Sequence, residues 1–272
     1  MAHFTTSIGK RLHYQVIGEG EPVVILNGIM MNVMSWTPFL SNLSKNCEVV
    51  LVDLLDMGKS SDMTEPYKQA LQADVLAELI RHIGYSKISV MGISYGGEVA
   101  IQFTLGYPEL VNRLLLFNTS SYTFPELWAD GMRWNEVGKT RDGAAYYEAT
   151  IPYFYSKKFQ TEHADWMANR KSVLEKTFSD PHFLDRMERL VLSTDTYDVR
   201  DRLCEIKAPT LVVGSMMDEV IPHREQVYLH EHIAGSALVL LPDCGHCSML
   251  ESPAAFVALV SGFVNVTDPI NI

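Results

Sequence analysis

The chain has 272 residues, 47% of them apolar and 20% charged, the proportions of a folded globular protein. Its formal net charge of −11 opposes nonspecific binding to nucleic acid or to an anionic membrane. Met1-Ala2-His3-Phe4-Thr5 offers neither the basic start nor the apolar core of a signal peptide, and no apolar run is long enough to span a bilayer, so a cytoplasmic protein is expected.

Residues 11–16 and 22–26 read as opening strands, and 47–52 as another. Asn27-Gly28 ends the second of these in a turn. Leu71, Val75, Leu76, Leu79, Ile80 and Ile83 recur at helical spacing, which predicts an amphipathic helix over about 71–83. Gly84 stands where a left-handed helix cap is expected. Residues 87–91 form the next strand, 98–103 begin a helix, and 113–117 form a further strand. From 121 to 204 there is no convincing buried strand. That stretch looks helical and holds more than half of the chain's Phe, Trp and Tyr residues. Those rings either roof an apolar pocket or build the core of a small helical unit. Strands resume at 210–214 and 237–241, and a final helix is expected from about 253 to 264, with Pro253 in its first turn. Strands alternating with helices predict an α/β fold with a mostly parallel sheet covered on both faces.

The chemistry gathers at strand ends. Gly92-Ile93-Ser94-Tyr95-Gly96-Gly97 joins a strand to a helix, the context of a nucleophile elbow that projects the serine hydroxyl above the sheet. A serine needs a base and a group to orient that base. Asp218 follows the 210–214 strand and His246 follows the 237–241 strand, giving the chain order Ser, Asp, His. Glu219 is the competing acid, but it would point the opposite way in an extended loop. The backbone N–H groups of Ile29 and Tyr95 are the expected oxyanion-hole donors. Met30, Met31 and Met34 follow the oxyanion loop, Met216 and Met217 precede Asp218, and Met249 follows His246. Met30 and Met217 are therefore expected to touch substrate in a pocket tolerant of shape. Cys244 and Cys247 flank His246 in a C-x-x-C. They lack both a second ligand pair and a thioredoxin-like setting, and read as small apolar filler. His230 and His232 lie two apart on a helix and face different ways, which opposes a shared metal. No metal or organic cofactor is expected. Lys157, Lys158, Arg170 and Lys171 read as solvated cations that matter only if the substrate is an anion.

These motifs resemble the α/β-hydrolase superfamily over nearly the whole chain, most closely its small capped serine esterases and 3-oxoadipate enol-lactonase-like proteins. Residues 211–222 resemble the acid loop, 242–253 the histidine loop, and 53–61 the loop written D-x-R-G-x-G-x-S in many members. Leu55 stands where Arg is usual, Asp56 where Gly is usual, and Asn27 where many members carry His. The resemblance implies a hydrolase core over 1–120 and 205–272, with a helical cap over 121–204. It implies cleavage of a small-molecule carboxylic ester or lactone through an acyl-enzyme. The same triad would serve carbon–carbon hydrolysis of a ring-cleavage product. A ligand-sensing protein with a slow or vestigial triad is the third possibility.

Overall fold

The computed structural model describes residues 2–266. Eight strands form one sheet: β1 (Ala2–Thr5), β2 (Arg11–Ile17), β3 (Glu21–Leu26), β4 (Cys47–Asp53), β5 (Ile88–Ile93), β6 (Val111–Phe117), β7 (Thr210–Ser215) and β8 (Ala237–Leu241). Their order is β1-β2-β4-β3-β5-β6-β7-β8. The pairs from β4 through β8 are parallel, while β1 and β2 add antiparallel pairs at one edge. The central strands are buried on both faces, which explains their continuous Val, Ile and Leu runs. The sequence reading missed β1, whose four residues alternate between half-buried and exposed and carry no apolar run.

Helices α1 (Thr37–Leu43), α2 (Ala70–Ile83) and α3 (Tyr95–Gly106) cover the first half of the sheet. The expected cap of α2 is present, with Gly84 at φ 95° donating to the Ile80 carbonyl. Two cores result, one on each face. One gathers Leu76, Leu79, Ile80, Val99 and Phe103 from α2 and α3, the other Trp36, Phe39, Phe117 and Phe256. Between β6 and β7 the chain forms α4 (Pro125–Lys139), α5 (Gly143–Phe154), α6 (Lys157–Glu162), α7 (Ala164–Phe178) and α8 (Pro181–Leu192). Side chains of Asp142, Ser156 and Asp180 cap α5, α6 and α8. Trp134, Tyr146, Tyr147, Tyr155 and Phe178 form a third core there, so many of the clustered rings serve packing first. The chain closes with α9 (His223–His232), α10 (Ser248–Glu251) and α11 (Pro253–Asn265).

Arg189 on α8 pins the inserted helices to the loop after β4. Its guanidinium donates twice to Asp56 Oδ1, at 3.0 and 2.6 Å. Asp56 is fully buried and holds φ at 64°, a left-handed conformation that favours glycine. The loop thus keeps the backbone shape that its usual glycine would take. The cation that meets Asp56 comes from another element, α8.

Candidate active site

Ser94 sits between β5 and α3 at φ 53° and ψ −125°, a strained backbone that turns the strand sharply into the helix. The turn is tight enough to require glycines around it. A Cβ on Gly92 would lie 2.1 Å from the Gly96 carbonyl oxygen, and one on Gly96 would lie 2.5 Å from the Leu26 carbonyl oxygen. Several hydrogen bonds hold the elbow. Ser94 N–H donates to the Phe117 carbonyl at 3.0 Å, and Thr119 Oγ1 donates to the Ser94 carbonyl at 2.8 Å.

Asp218 and His246 meet above the same sheet edge. His246 Nδ1 and Asp218 Oδ2 are 2.8 Å apart, and both residues are buried. The other Asp218 oxygen accepts from the N–H groups of Val220 and Ile221, each at 2.8 Å. Asn118 Nδ2 donates to Oδ2 at 3.0 Å, and Asn118 Oδ1 accepts from Ser248 Oγ at 2.8 Å. The acid is thus fixed from three sides. Glu219 has a half-exposed side chain 3.9 Å from Lys157 and takes no part in this arrangement. Asn118 escaped the sequence reading as a site residue. Its only signal was being the first polar residue past a buried strand.

Ser94 and His246 line one cavity of about 800 Å³ between the sheet edge and the inserted helices. No hydrogen bond joins them among the described residues, as is common before substrate aligns such groups. The N–H groups of Ile29 and Tyr95 have no acceptor among the described residues. Asn27 anchors the loop that carries Ile29. Its amide donates to the Val52 carbonyl at 3.0 Å and its oxygen accepts from Trp36 Nε1 at 2.7 Å. Asp53 adds a second anchor, accepting from Val33 N–H at 2.8 Å and pairing with the buried His13 at 2.7 Å.

Met30 lines the cavity at φ 68°. Met217, also expected to touch substrate, is not among the residues that line it. Its N–H is tied to the Cys244 carbonyl, and its side chain is 52% exposed on the outer side of the Asp218 loop. Cys247 lines the cavity, and burial pushes its thiol up to about 12. Burial likewise pushes Cys244 up to about 11. His230 and His232 bond instead to Ser236 Oγ and the Tyr228 carbonyl. Two further residues line the cavity, Glu98, which was not singled out from sequence, and Arg170, which was read as a solvated cation that matters only for an anionic substrate. Glu98 is a buried acid on α3. Arg170 on α7 has a buried Nε without a hydrogen-bond partner, and its guanidinium lies 5.3 Å from the centre of the Trp166 ring.

A family model for the alpha/beta hydrolase fold matches residues 21–253. The chain belongs to the α/β-hydrolase family. Among solved structures, it is similar to MGS-M2, an α/β-hydrolase enzyme from a Medee basin deep-sea metagenome library. That likeness has 43% identity and a TM-score of 0.97 over 99% of both chains. A thermophilic esterase from Thermogutta terrifontis shares 25% identity at a TM-score of 0.83, covering 97% of each chain. A curated relative is the 2-hydroxy-6-oxononadienedioate/2-hydroxy-6-oxononatrienedioate hydrolase of Escherichia coli. It is 28% identical over 93% of this chain and 91% of its own length. No helix among the described residues of this α/β hydrolase is long and apolar enough to cross a membrane.

Proposed function

We propose that this α/β hydrolase is a serine hydrolase that cleaves a carboxylic ester or lactone through an acyl-enzyme. The observation that carries the reading is a buried His246, paired with Asp218, lining the same cavity as a serine on a strained elbow. In this reading His246 takes the Ser94 proton as the hydroxyl attacks the substrate carbonyl. Asp218 fixes the imidazole tautomer and stabilises the cation that forms. The unengaged N–H groups of Ile29 and Tyr95 receive the developing oxyanion. His246 then protonates the leaving alcohol, and water activated by His246 releases the acid. The inserted helices over 121–204 act as a cap, and Met30 contributes a flexible apolar wall.

Arg170 favours a second reading. A cation without an ion-pair partner among the described residues, set at the wall of an apolar cavity, suits an acidic substrate. The Escherichia coli relative is named for hydrolysis of dioates. Carbon–carbon hydrolysis of an acidic ring-cleavage product is therefore the alternative for the same triad.

Fluorophosphonate labelling of wild type and Ser94→Ala tests the nucleophile. Labelling lost in the mutant is the expected result, and equal labelling of both refutes the assignment. An unlabelled wild type supports a binding protein instead. A panel of neutral esters, lactones and vinylogous diketo acids then separates the two reactions. Loss of activity in Arg170→Gln confined to acidic substrates marks the second.

A further inference from the structure

Glu98 lies four residues past Ser94 on α3, and its N–H donates to the Ser94 carbonyl at 3.1 Å. It lines the cavity that holds Ser94 and His246, yet it is only 3% exposed. No cation pairs with it among the described residues. Oε2 accepts from Gln69 Nε2 at 2.7 Å. Gln102 Nε2 donates in turn to Gln69 Oε1 at 2.7 Å, which fixes which way the Gln69 amide faces. Oε1 has only Ser120 Oγ, at 3.4 Å, and that hydroxyl has a better acceptor in the Tyr122 carbonyl at 3.0 Å. A hydroxyl carries one hydrogen, so Oε1 lacks a firm donor. An ionised carboxylate in such a place would be buried, without a cation and with one oxygen poorly bonded, which is costly. Burial raises the Glu98 carboxyl to about 8, against the opposing hydrogen bonds from Gln69 and Ser120. Burial favours the neutral form, and with Oε2 accepting from Gln69 the oxygen left to carry the proton is Oε1. Within the protein that proton has only Ser120 Oγ, at 3.4 Å, to receive it among the described residues, which leaves it available to an oxygen in the cavity that Glu98 lines.

We propose that Glu98 is a specificity residue that donates this hydrogen bond to a neutral oxygen acceptor of the substrate, making the hydrolase selective for oxo-substituted acyl groups over plain alkyl ones. This inference rests on the cavity being the substrate pocket of the hydrolase proposed above. A buried polar group left unpaired by the wrong substrate is a stronger discriminator than a missing methylene.

The acid has few charged neighbours. Gln69 faces it from the start of α2, Tyr95 and Gln102 from α3 itself, and Ser120 and Tyr197 from the chain flanking the inserted helices. Burial keeps both tyrosines protonated beyond the range in which Glu98 titrates. His246 and Arg170 line the same cavity. Above pH 8 the donor is lost, so KM for an oxo substrate should rise.

The test compares kcat/KM for p-nitrophenyl 4-oxopentanoate and p-nitrophenyl pentanoate, with 3-oxo and 5-oxo esters alongside, from pH 6.5 to 9. Wild type should favour one oxo ester by about tenfold or more after correction for intrinsic lability. Glu98→Leu should erase that ratio. Glu98→Gln, whose amide still donates, should keep part of it and flatten the rise of KM above pH 8. Thermal unfolding checks that each variant folds, and the Gln variant serves if the Leu variant does not. No preference in wild type, or an unchanged ratio in Glu98→Leu, overturns the proposal while leaving the serine hydrolase intact. Failure to hydrolyse any ester, with no fluorophosphonate labelling, sinks the hydrolase reading instead. The specificity claim is then decided by calorimetric binding of ethyl 4-oxopentanoate against ethyl pentanoate to Ser94→Ala. Equal affinity refutes it.

Discussion

Replacing Arg189 with methionine should destabilise the fold well beyond the effect of an ordinary surface change. Its partner Asp56 has a side chain with 0% exposure, while the Arg189 side chain is 25% exposed. Removing the guanidinium leaves a buried carboxylate without its cation, which typically costs about 3–5 kcal/mol. The open side of Arg189 admits some water, so the lower end, about 3 kcal/mol, is expected. An unfolding entropy of about 2.1 cal/mol/K per residue then converts this to a fall in Tm of roughly 5 °C for a chain of 272 residues. The informative partner is Asp56→Gly in the Arg189→Met background. Glycine takes φ 64° without the penalty of a Cβ, and the stranded charge disappears with the side chain. The double variant should regain most of the lost stability. Urea titration followed by circular dichroism gives all four corners of the cycle. A single variant within about 0.5 kcal/mol of wild type, the scatter of neutral surface changes, refutes the reasoning. So does a double variant no more stable than the single.

Other expectations follow from the site. Asp218→Asn should leave the fold intact and lower kcat by about 10³–10⁴, because the amide favours the wrong imidazole tautomer. Steady-state kinetics on any ester the enzyme accepts measures this, and a loss below tenfold contradicts the triad. Gly92→Ala should cost at least about 3 kcal/mol, since its Cβ would meet backbone rather than a movable side chain. An unchanged urea midpoint contradicts it.

What could be read in the sequence was whatever is local. The α2 and α11 boundaries, the Gly84 cap and the elbow glycines each declare themselves within a few residues. The pairing of Asp218 with His246 was legible because both follow strands of a parallel sheet, whose ends share an edge. Contacts that depend on tertiary approach were not legible. Arg189 lies 133 positions from Asp56, and nothing near either residue announces the pair. The burial of Glu98 was not legible either, because it depends on Gln69 and Ser120 arriving from elsewhere. The outward position of Met217 was not legible for a related reason. Sequence placed it one residue from the acid, but the loop turns Asp218 inward, and its neighbour consequently faces outward.

The paired cysteines beside His246 invite a redox role that the structure argues against. Attack on an oxidant requires thiolate, and burial raises Cys244 to about 11 and Cys247 to about 12. At pH 8 the thiolate fractions are then on the order of 10⁻³ and 10⁻⁴. Cys204 is exposed and offers an internal comparison within the same chain. Brief iodoacetamide treatment followed by peptide mass spectrometry should therefore modify Cys204 first and leave the C-x-x-C largely unmodified. Diamide should leave hydrolase activity at its starting level over the same interval. Rapid loss of activity reversed by dithiothreitol, and absent in Cys244→Ala, would show instead that the histidine loop opens far enough in solution to ionise these thiols. The packing of Cys247 against Phe154, whose carbonyl accepts the Cys247 N–H at 2.9 Å, would then be a gate rather than a wall.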